Sequence, residues 1–209
     1  MTKALLIVDV QNDFIDGSLA VPNGEEIIHV INSLITSKYY DYIIASQDWH
    51  PANHKSFASN NNGTQVFTMG ELNGAPQMMW PDHCVQKTWG AEFHHDLLSN
   101  NFDFVQQKGI NPEVDSYSAF RDNNQNETTG LDVWIKDHDI TTLDVCGLAT
   151  DYCVKFSIID AVNLLDTTEI RFIPDASKAL TVEGEQQATQ EMQAAGVIIM
   201  NSDQILDQV

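Results

Sequence analysis

Seven consecutive residues, Asp48-Trp49-His50-Pro51-Ala52-Asn53-His54, put one carboxylate and two imidazoles within reach of a common point. Asp48 and His50 are two positions apart, so at a strand end their side chains leave on the same side. A turn begun at Pro51 folds His54 back towards them. His83, in Trp80-Pro81-Asp82-His83-Cys84, is the natural third imidazole. One carboxylate with imidazoles is a ligand set suited to Zn²⁺, Fe²⁺ or Mn²⁺. The spacing is moderately specific, because polar loop residues also cluster by chance. His29, His94, His95 and His138 fall in helical or connecting contexts and read as surface residues.

A second constellation centres on Cys153. Thr150 or Asp151 can cap the helix that follows, which sets Cys153 in its first turn. There the helix dipole and unpaired N–H groups favour a thiolate. The same N–H groups can receive the oxyanion formed when sulfur attacks a carbonyl. A small buried residue opening a core helix would occupy the same position. Cys146 lies inside an apolar strand and reads as structural, while Cys84, beside His83, fits either role. Asp9 closes the first apolar run and Lys108 follows the third. Singly, a strand-end Asp is most often a cap and a lone Lys a solvated charge. An acid, a base and a thiol at one sheet edge are harder to assign to accident.

The elements that must position these groups are legible from periodicity. Short, nearly continuous apolar runs at 4–10, 42–46, 102–106, 142–147, 170–174 and 197–200 read as strands covered on both faces. Helices are expected at about 25–36, 91–98, 130–136, 152–165 and 182–195, the fourth with Val154, Ile158, Val162 and Leu165 along one stripe. The alternation predicts a single three-layer α/β/α domain over 1–209 with a six-stranded, mainly parallel sheet. Such sheets take their ligands at the carboxyl ends of the strands. Segment 48–90 breaks the rhythm and is read as a metal-binding loop region, since long irregular segments in compact domains usually serve a site. A second irregular stretch, 109–129, is polar and carries Tyr117.

Composition narrows the partners. Thirty Asp and Glu against ten Lys and Arg give a formal charge of −20 over 209 residues. Such a chain repels phosphate backbones and anionic membrane surfaces, so neither nucleic acid nor membrane is an expected partner. No apolar run approaches the roughly 20 residues that cross a bilayer, and Asp9 interrupts the opening run too early for a signal peptide. Three cysteines, an odd and sparse set, do not suggest a disulfide framework, and the chain reads as cytoplasmic.

Several stretches, taken together, resemble a known family: Ala4-Leu5-Leu6-Ile7-Val8-Asp9-Val10-Gln11-Asn12-Asp13-Phe14, Ser46-Gln47-Asp48-Trp49-His50-Pro51, Trp80-Pro81-Asp82-His83-Cys84-Val85, Lys108-Gly109 and Gly147-Leu148-Ala149-Thr150-Asp151-Tyr152-Cys153-Val154. They are similar to the nicotinamidase/pyrazinamidase family, within the isochorismatase-like group of cysteine hydrolases. The Asp, Lys and Cys mark the wider group; the D-x-H-x3-H and W-P-D-H-C pair points to nicotinamidases.

The resemblance implies the isochorismatase-like fold and hydrolysis of nicotinamide to nicotinate and ammonia through a thioester, in NAD salvage, with pyrazinamide as a further substrate. It makes Asp9 the general base, Cys153 the nucleophile and Lys108 the cation that keeps the pair charged. It gives the oxyanion to the backbone N–H groups of Ala149 and Cys153, with a cis peptide joining Leu148 to Ala149. It assigns one divalent metal ion, Zn²⁺ ahead of Fe²⁺ or Mn²⁺, to Asp48, His50, His54 and His83, with the pyridine nitrogen as its ligand. Phe14 and Trp80 become aromatic walls, with Tyr117 near the same pocket. A sibling hydrolase acting on another amide or carbamoyl group would keep the Asp, Lys and Cys but gives no reason for the imidazoles. A non-catalytic metal-binding domain explains the imidazoles alone. Assembly into a homo-oligomer is left open.

Overall fold

The first apolar run forms β1 (Thr2–Val8), whose side chains alternate between two faces. Leu5 and Ile7 enter one core and Ala4, Leu6 and Val8 the other, all fully buried. A computed structural model describes residues 1–208. After β1 come α1 (Asn12–Ile15), α2 (Ile27–Thr36), β2 (Tyr42–Asp48), β3 (Thr68–Leu72), β4 (Ala75–Met79) and β5 (Phe104–Lys108). The second half holds α3 (Leu131–Asp137), β6 (Ile140–Leu148), α4 (Lys155–Leu164), β7 (Glu169–Lys178), α5 (Val182–Ala194), β8 (Ile198–Ile199) and α6 (Ser202–Leu206). Six strands make one sheet, β5-β2-β1-β6-β7-β8, with every neighbouring pair parallel. No helix among the described residues is long and apolar enough to cross a membrane.

Both faces are covered, which is why the strands tolerate continuous apolar sequence. Ile27, Ile31 and Leu34 of α2, spaced at one helical stripe, are fully buried against the Leu5/Ile7 face. Each contributes about 1.5–3 kcal/mol by leaving water. On the other face Leu131 and Ile135 of α3, Ile158 and Ala161 of α4, and Ala188 and Met192 of α5 pack over Leu6, Val8 and Ile44.

Three local expectations are corrected. No α-helix forms at 91–98; a single 3₁₀ turn covers Trp89–Ala91. The segment's backbone is engaged elsewhere: Asn12 N–H donates to Glu92 O (2.9 Å), His94 N–H donates to Val10 O (3.1 Å), and Phe93 bridges Gln11. Tertiary pairing with the loop after β1 overrides the local pattern. The pairing also buries His94, which the sequence placed at the surface. Inside 48–90, β3 and β4 form an antiparallel hairpin turned by Asn73-Gly74, both at positive φ (51° and 81°). That is the Asn-Gly signature of a tight hairpin turn.

The sheet order decides where the chemistry sits. β1 lies between β2 and β6, so the chain leaves it in opposite directions and opens a crevice at the carboxyl ends. Asp9 follows β1, Asp48 ends β2, Lys108 ends β5 and Ala149 follows β6. Within the sheet Asp48 is paired directly with Lys108.

Candidate active site

Lys108 is the hub. Its Nζ, 2% exposed as a residue, lies 2.5 Å from Asp48 Oδ1, 2.8 Å from Asp9 Oδ2, 3.0 Å from Ser116 O and 3.6 Å from Cys153 Sγ. Burial works to lower its pKa, but Asp48 and Asp9 outweigh that and hold the ammonium well above its usual range. Lys108 is therefore a fixed positive charge between two carboxylates and a thiol.

Asp9 takes up a left-handed backbone (φ 50°), which is rare for any residue but glycine and recurs at functional sites. Gln11 N–H donates to Asp9 O at 2.8 Å, tightening the turn out of β1. Its Oδ1 accepts from Ser46 Oγ at 2.6 Å, whereas Oδ2 contacts the ammonium but receives no hydrogen bond. Carboxylate oxygens of Asp9 and Asp48 and the sulfur of Cys153 lie within 4.8 Å of one another. Burial raises Asp9 against the pull of Lys108, and burial pushes the Cys153 thiol well up, again against Lys108. A carboxylate with a raised pKa and an open lone pair beside a buried thiol is suited to accept its proton.

Cys153 lies in one turn of π-helix, Thr150–Val154, that precedes α4, rather than in the first turn of the α-helix itself. Ala149 O accepts the N–H groups of Tyr152 (3.0 Å) and Val154 (3.1 Å) and passes over the one between them. The peptide joining Leu148 to Ala149 is cis. Gly147, at φ 122°, lets β6 approach β1 here: a Cβ would meet Val8 O at 2.2 Å.

The imidazoles gather on the far side of Asp48. Its Oδ2 is 3.4 Å from His50 Nε2 and 3.7 Å from His83 Nε2. Ring centroids of His50 lie 4.5 Å from His54 and 4.9 Å from His83. A turn at Pro51 returns His54, whose N–H donates to Pro51 O at 2.9 Å. His83 arrives because its segment runs parallel to the extension of β2: His50 N–H donates to Cys84 O (3.0 Å) and Gln86 N–H to His50 O (2.8 Å). In each ring Nδ1 is held by a local partner: Gly109 O at 2.9 Å for His50, Ser56 Oγ at 2.7 Å for His54, Pro81 O at 2.8 Å for His83. That leaves Nε2 as the inward atom, and the buried Nε2 of both His50 and His54 lacks a partner. Anchored outer nitrogens with unsatisfied inner ones are what a metal centre requires. Burial lowers His54 to about 4, so it is neutral and able to ligate. Asp48, despite burial, is held well below the carboxylate range by Lys108 and His50. The residues present fit a divalent ion.

The pocket between thiol and imidazoles is small and is lined by Phe14, Trp80, Tyr117, Ala149, Cys153, Asp48 and His83, among others. Trp80 Nε1 donates to Tyr117 Oη at 3.2 Å, and Phe14 tilts over His83 at 5.5 Å. Of the candidates read from the sequence, Phe14, Asp48, Trp80, His83, Tyr117, Ala149 and Cys153 line this cleft, and Asp9, Lys108, His50 and His54 lie behind them in contact with Asp48, Cys153 or one another.

An isochorismatase domain model matches residues 3–204, nearly the whole chain. The chain belongs to the isochorismatase family. It is 48% identical to the nicotinamidase of Escherichia coli K12 over 94% of this chain and 93% of that one. Its fold matches the solved nicotinamidase/pyrazinamidase of Acinetobacter baumanii with a TM-score of 0.91 at 40% identity, covering 100% of this chain and 98% of that one. A pyrazinamidase of Pyrococcus horikoshii, solved in complex with zinc, matches at 0.78 and 33% identity over 96% and 99% of the two chains.

Other members of this isochorismatase-family site escaped the sequence reading. Tyr152, Leu180, Leu19 and Val21 complete the pocket wall, and Asp115 lines it from the polar stretch after Lys108. Gln11 ties the strand ends together, donating to Asp48 O and accepting from Asp48 N–H, both at 2.8 Å. Tyr152 adjoins the nucleophile and was within reach of a motif argument. Asp115 and Leu180 carry no local signal.

Proposed function

We propose that this chain is a nicotinamidase, hydrolysing nicotinamide to nicotinate and ammonia, with pyrazinamide as a second substrate. The observation that carries the reading is the two-ended cleft: a thiol with an acid and an ammonium at one end, three inward imidazole nitrogens at the other, joined by Asp48. Nicotinamide has two matching ends, a carboxamide and a ring nitrogen. The similarity to nicotinamidases supports the same substrate.

Asp9 takes the proton from Cys153, and the sulfur attacks the carboxamide carbon. Lys108 stabilises the thiolate and keeps Asp9 close to it. Backbone N–H groups of Ala149 and Cys153 receive the oxyanion. Asp9 returns its proton to the amine, ammonia leaves, and a thioester remains. Water, deprotonated by Asp9, adds to the thioester carbon; the sulfur departs and nicotinate is released. Phe14 and Trp80 flank the ring, and Tyr117 sets the Trp80 edge. Asp48, His50, His54 and His83 hold a divalent metal ion, Zn²⁺ first, which supplies a Lewis-acid site for the ring nitrogen. The unpaired cysteines and the acidic surface favour a cytoplasmic enzyme acting in NAD salvage.

Ammonia release from nicotinamide, pyrazinamide and benzamide tests the reading. The first two should turn over, and benzamide, which lacks a ring nitrogen, should be at least a hundredfold worse in kcat/KM. Chelation should cripple nicotinamide turnover while Cys153 still reacts with a small alkylating agent. Equal rates on benzamide and nicotinamide would refute the two-ended reading.

A further inference from the structure

A second group of metal-ligating side chains lies outside the cleft lining, where the 91–98 segment meets the turn after α1. His94, His95 and Asp96 each offer a ligand atom, and the three atoms lie within 4.8 Å of one another. The pairing that replaces the expected helix sets them side by side. His94, 6% exposed, is pinned by its N–H on Val10 O, while His95 and Asp96 reach solvent. The two imidazole centroids are 4.4 Å apart.

The two nitrogens of His94 have distinct roles. Nδ1 accepts the Asp96 N–H at 3.3 Å, so it carries the lone pair, and the ring proton sits on Nε2, 3.6 Å from Asp16 Oδ2. A carboxylate behind an imidazole whose other nitrogen is free to ligate is the arrangement that orients metal-bound histidines. On the Nδ1 side, Asp96 Oδ2 lies 4.0 Å away, and Asp96 Oδ1 lies 3.5 Å from His95 Nε2. Such separations are too long for good hydrogen bonds. They are close to the spacing of about 3.3–3.6 Å between ligand atoms around a tetrahedral ion with bonds of about 2.0–2.2 Å. Among the described residues neither Asp16 nor Asp96 is paired with a lysine or arginine, so their negative charge is unspent.

We propose that His94, His95 and Asp96, backed by Asp16, form a second site for a divalent ion of the Zn²⁺ class, separate from the cleft. Two imidazoles select such an ion over Mg²⁺ or Ca²⁺, which take oxygen ligands. Asp16 caps the end of α1, and α1 carries Phe14, a wall of the cleft. An ion held here clamps the end of α1 to the 94–96 segment from outside the active site.

The test is Zn²⁺ bound to the full chain by equilibrium dialysis in excess Mg²⁺, in the parent and in a His50→Ala background that removes a cleft ligand. His50→Ala should retain one saturable Zn²⁺, and that ion should raise its melting temperature. His95→Asn or Asp96→Asn added to it should weaken that binding at least tenfold and abolish the rise in melting. Asp16→Asn, which removes the orienting carboxylate, should weaken it about tenfold. His95 and Asp96 reach solvent, so these variants should melt like their parent in chelator. Outer-site affinity within twofold of its starting value in His95→Asn overturns the proposal. So does binding that excess Mg²⁺ displaces, which would mark diffuse attraction to a chain of charge −20. If the parent binds one Zn²⁺ that His50→Ala keeps and His95→Asn loses, this proposal stands and the cleft metal fails. If the one ion is lost by His50→Ala and kept by His95→Asn, the reverse holds.

Discussion

Replacing Lys108 by methionine keeps the length of the side chain and removes the one cation between two buried carboxylates. At 2.8 Å and 2.5 Å the attractions to Asp9 and Asp48 are each about 6–7 kcal/mol at an effective dielectric of about 20. Desolvation of the three ions offsets much of that, so breaking the cluster should cost about 3–5 kcal/mol net. The cost should also depend on pH. Asp48 now sits well below the carboxylate range, which stabilises the fold above its unfolded pKa and is lost on acidification. Without Lys108, burial prevails: Asp48 rises above the unfolded value of about 3.9, and Asp9, already raised by burial, rises further. A raised folded pKa means that the folded state binds more protons, so stability falls as pH rises through it. Each such proton is worth about 1.4 kcal/mol per pH unit. The gap between the parent and Lys108→Met should thus widen from about pH 5 to about pH 8. Urea denaturation of both proteins in chelator, at three pH values across that range, measures it. A gap that is constant with pH, or smaller than about 1 kcal/mol at the alkaline end, would refute this account of the cluster.

Cys153→Ala should abolish nicotinamide hydrolysis with the fold intact, whereas Cys146→Ala, inside β6, should cost stability and little activity; ammonia release and thermal melting separate the two. A small alkylating agent should label Cys153, which lines the pocket, well ahead of Cys84 and Cys146, read by mass spectrometry. Gly109→Ala should displace His50, because the new Cβ would lie 2.3 Å from His50 Cε1 and the backbone there is left-handed at φ 67°. Strain of about 1 kcal/mol and a shifted ring should lower Zn²⁺ content and cut turnover about a hundredfold, in a melting and metal assay run together.

Much of the site was local enough to read from the chain. Asp48, His50 and His54 are close in sequence, so spacing alone predicts their meeting, whereas the expected cap ahead of Cys153 does not form: Ala149 is the N-cap without a side-chain bond, and the Asp151 carboxylate accepts from Leu180 N–H instead. Continuous apolar runs likewise announced a sheet buried on both faces. What the sequence could not determine is anything that depends on strand order. Asp9, Asp48, Lys108 and Cys153 converge because β5, β2, β1 and β6 are neighbours and parallel, and that adjacency is chosen by how the helices cover the two faces, not by any local pattern. The same holds for the missing helix at 91–98, whose backbone is drawn into pairing with Gln11 and Asn12 across some eighty positions of sequence. Asp115 shows the limit most clearly. In the sequence it is one of thirty acidic residues; burial beside His50 and His54, which only the tertiary fold imposes, is what makes it part of the cleft.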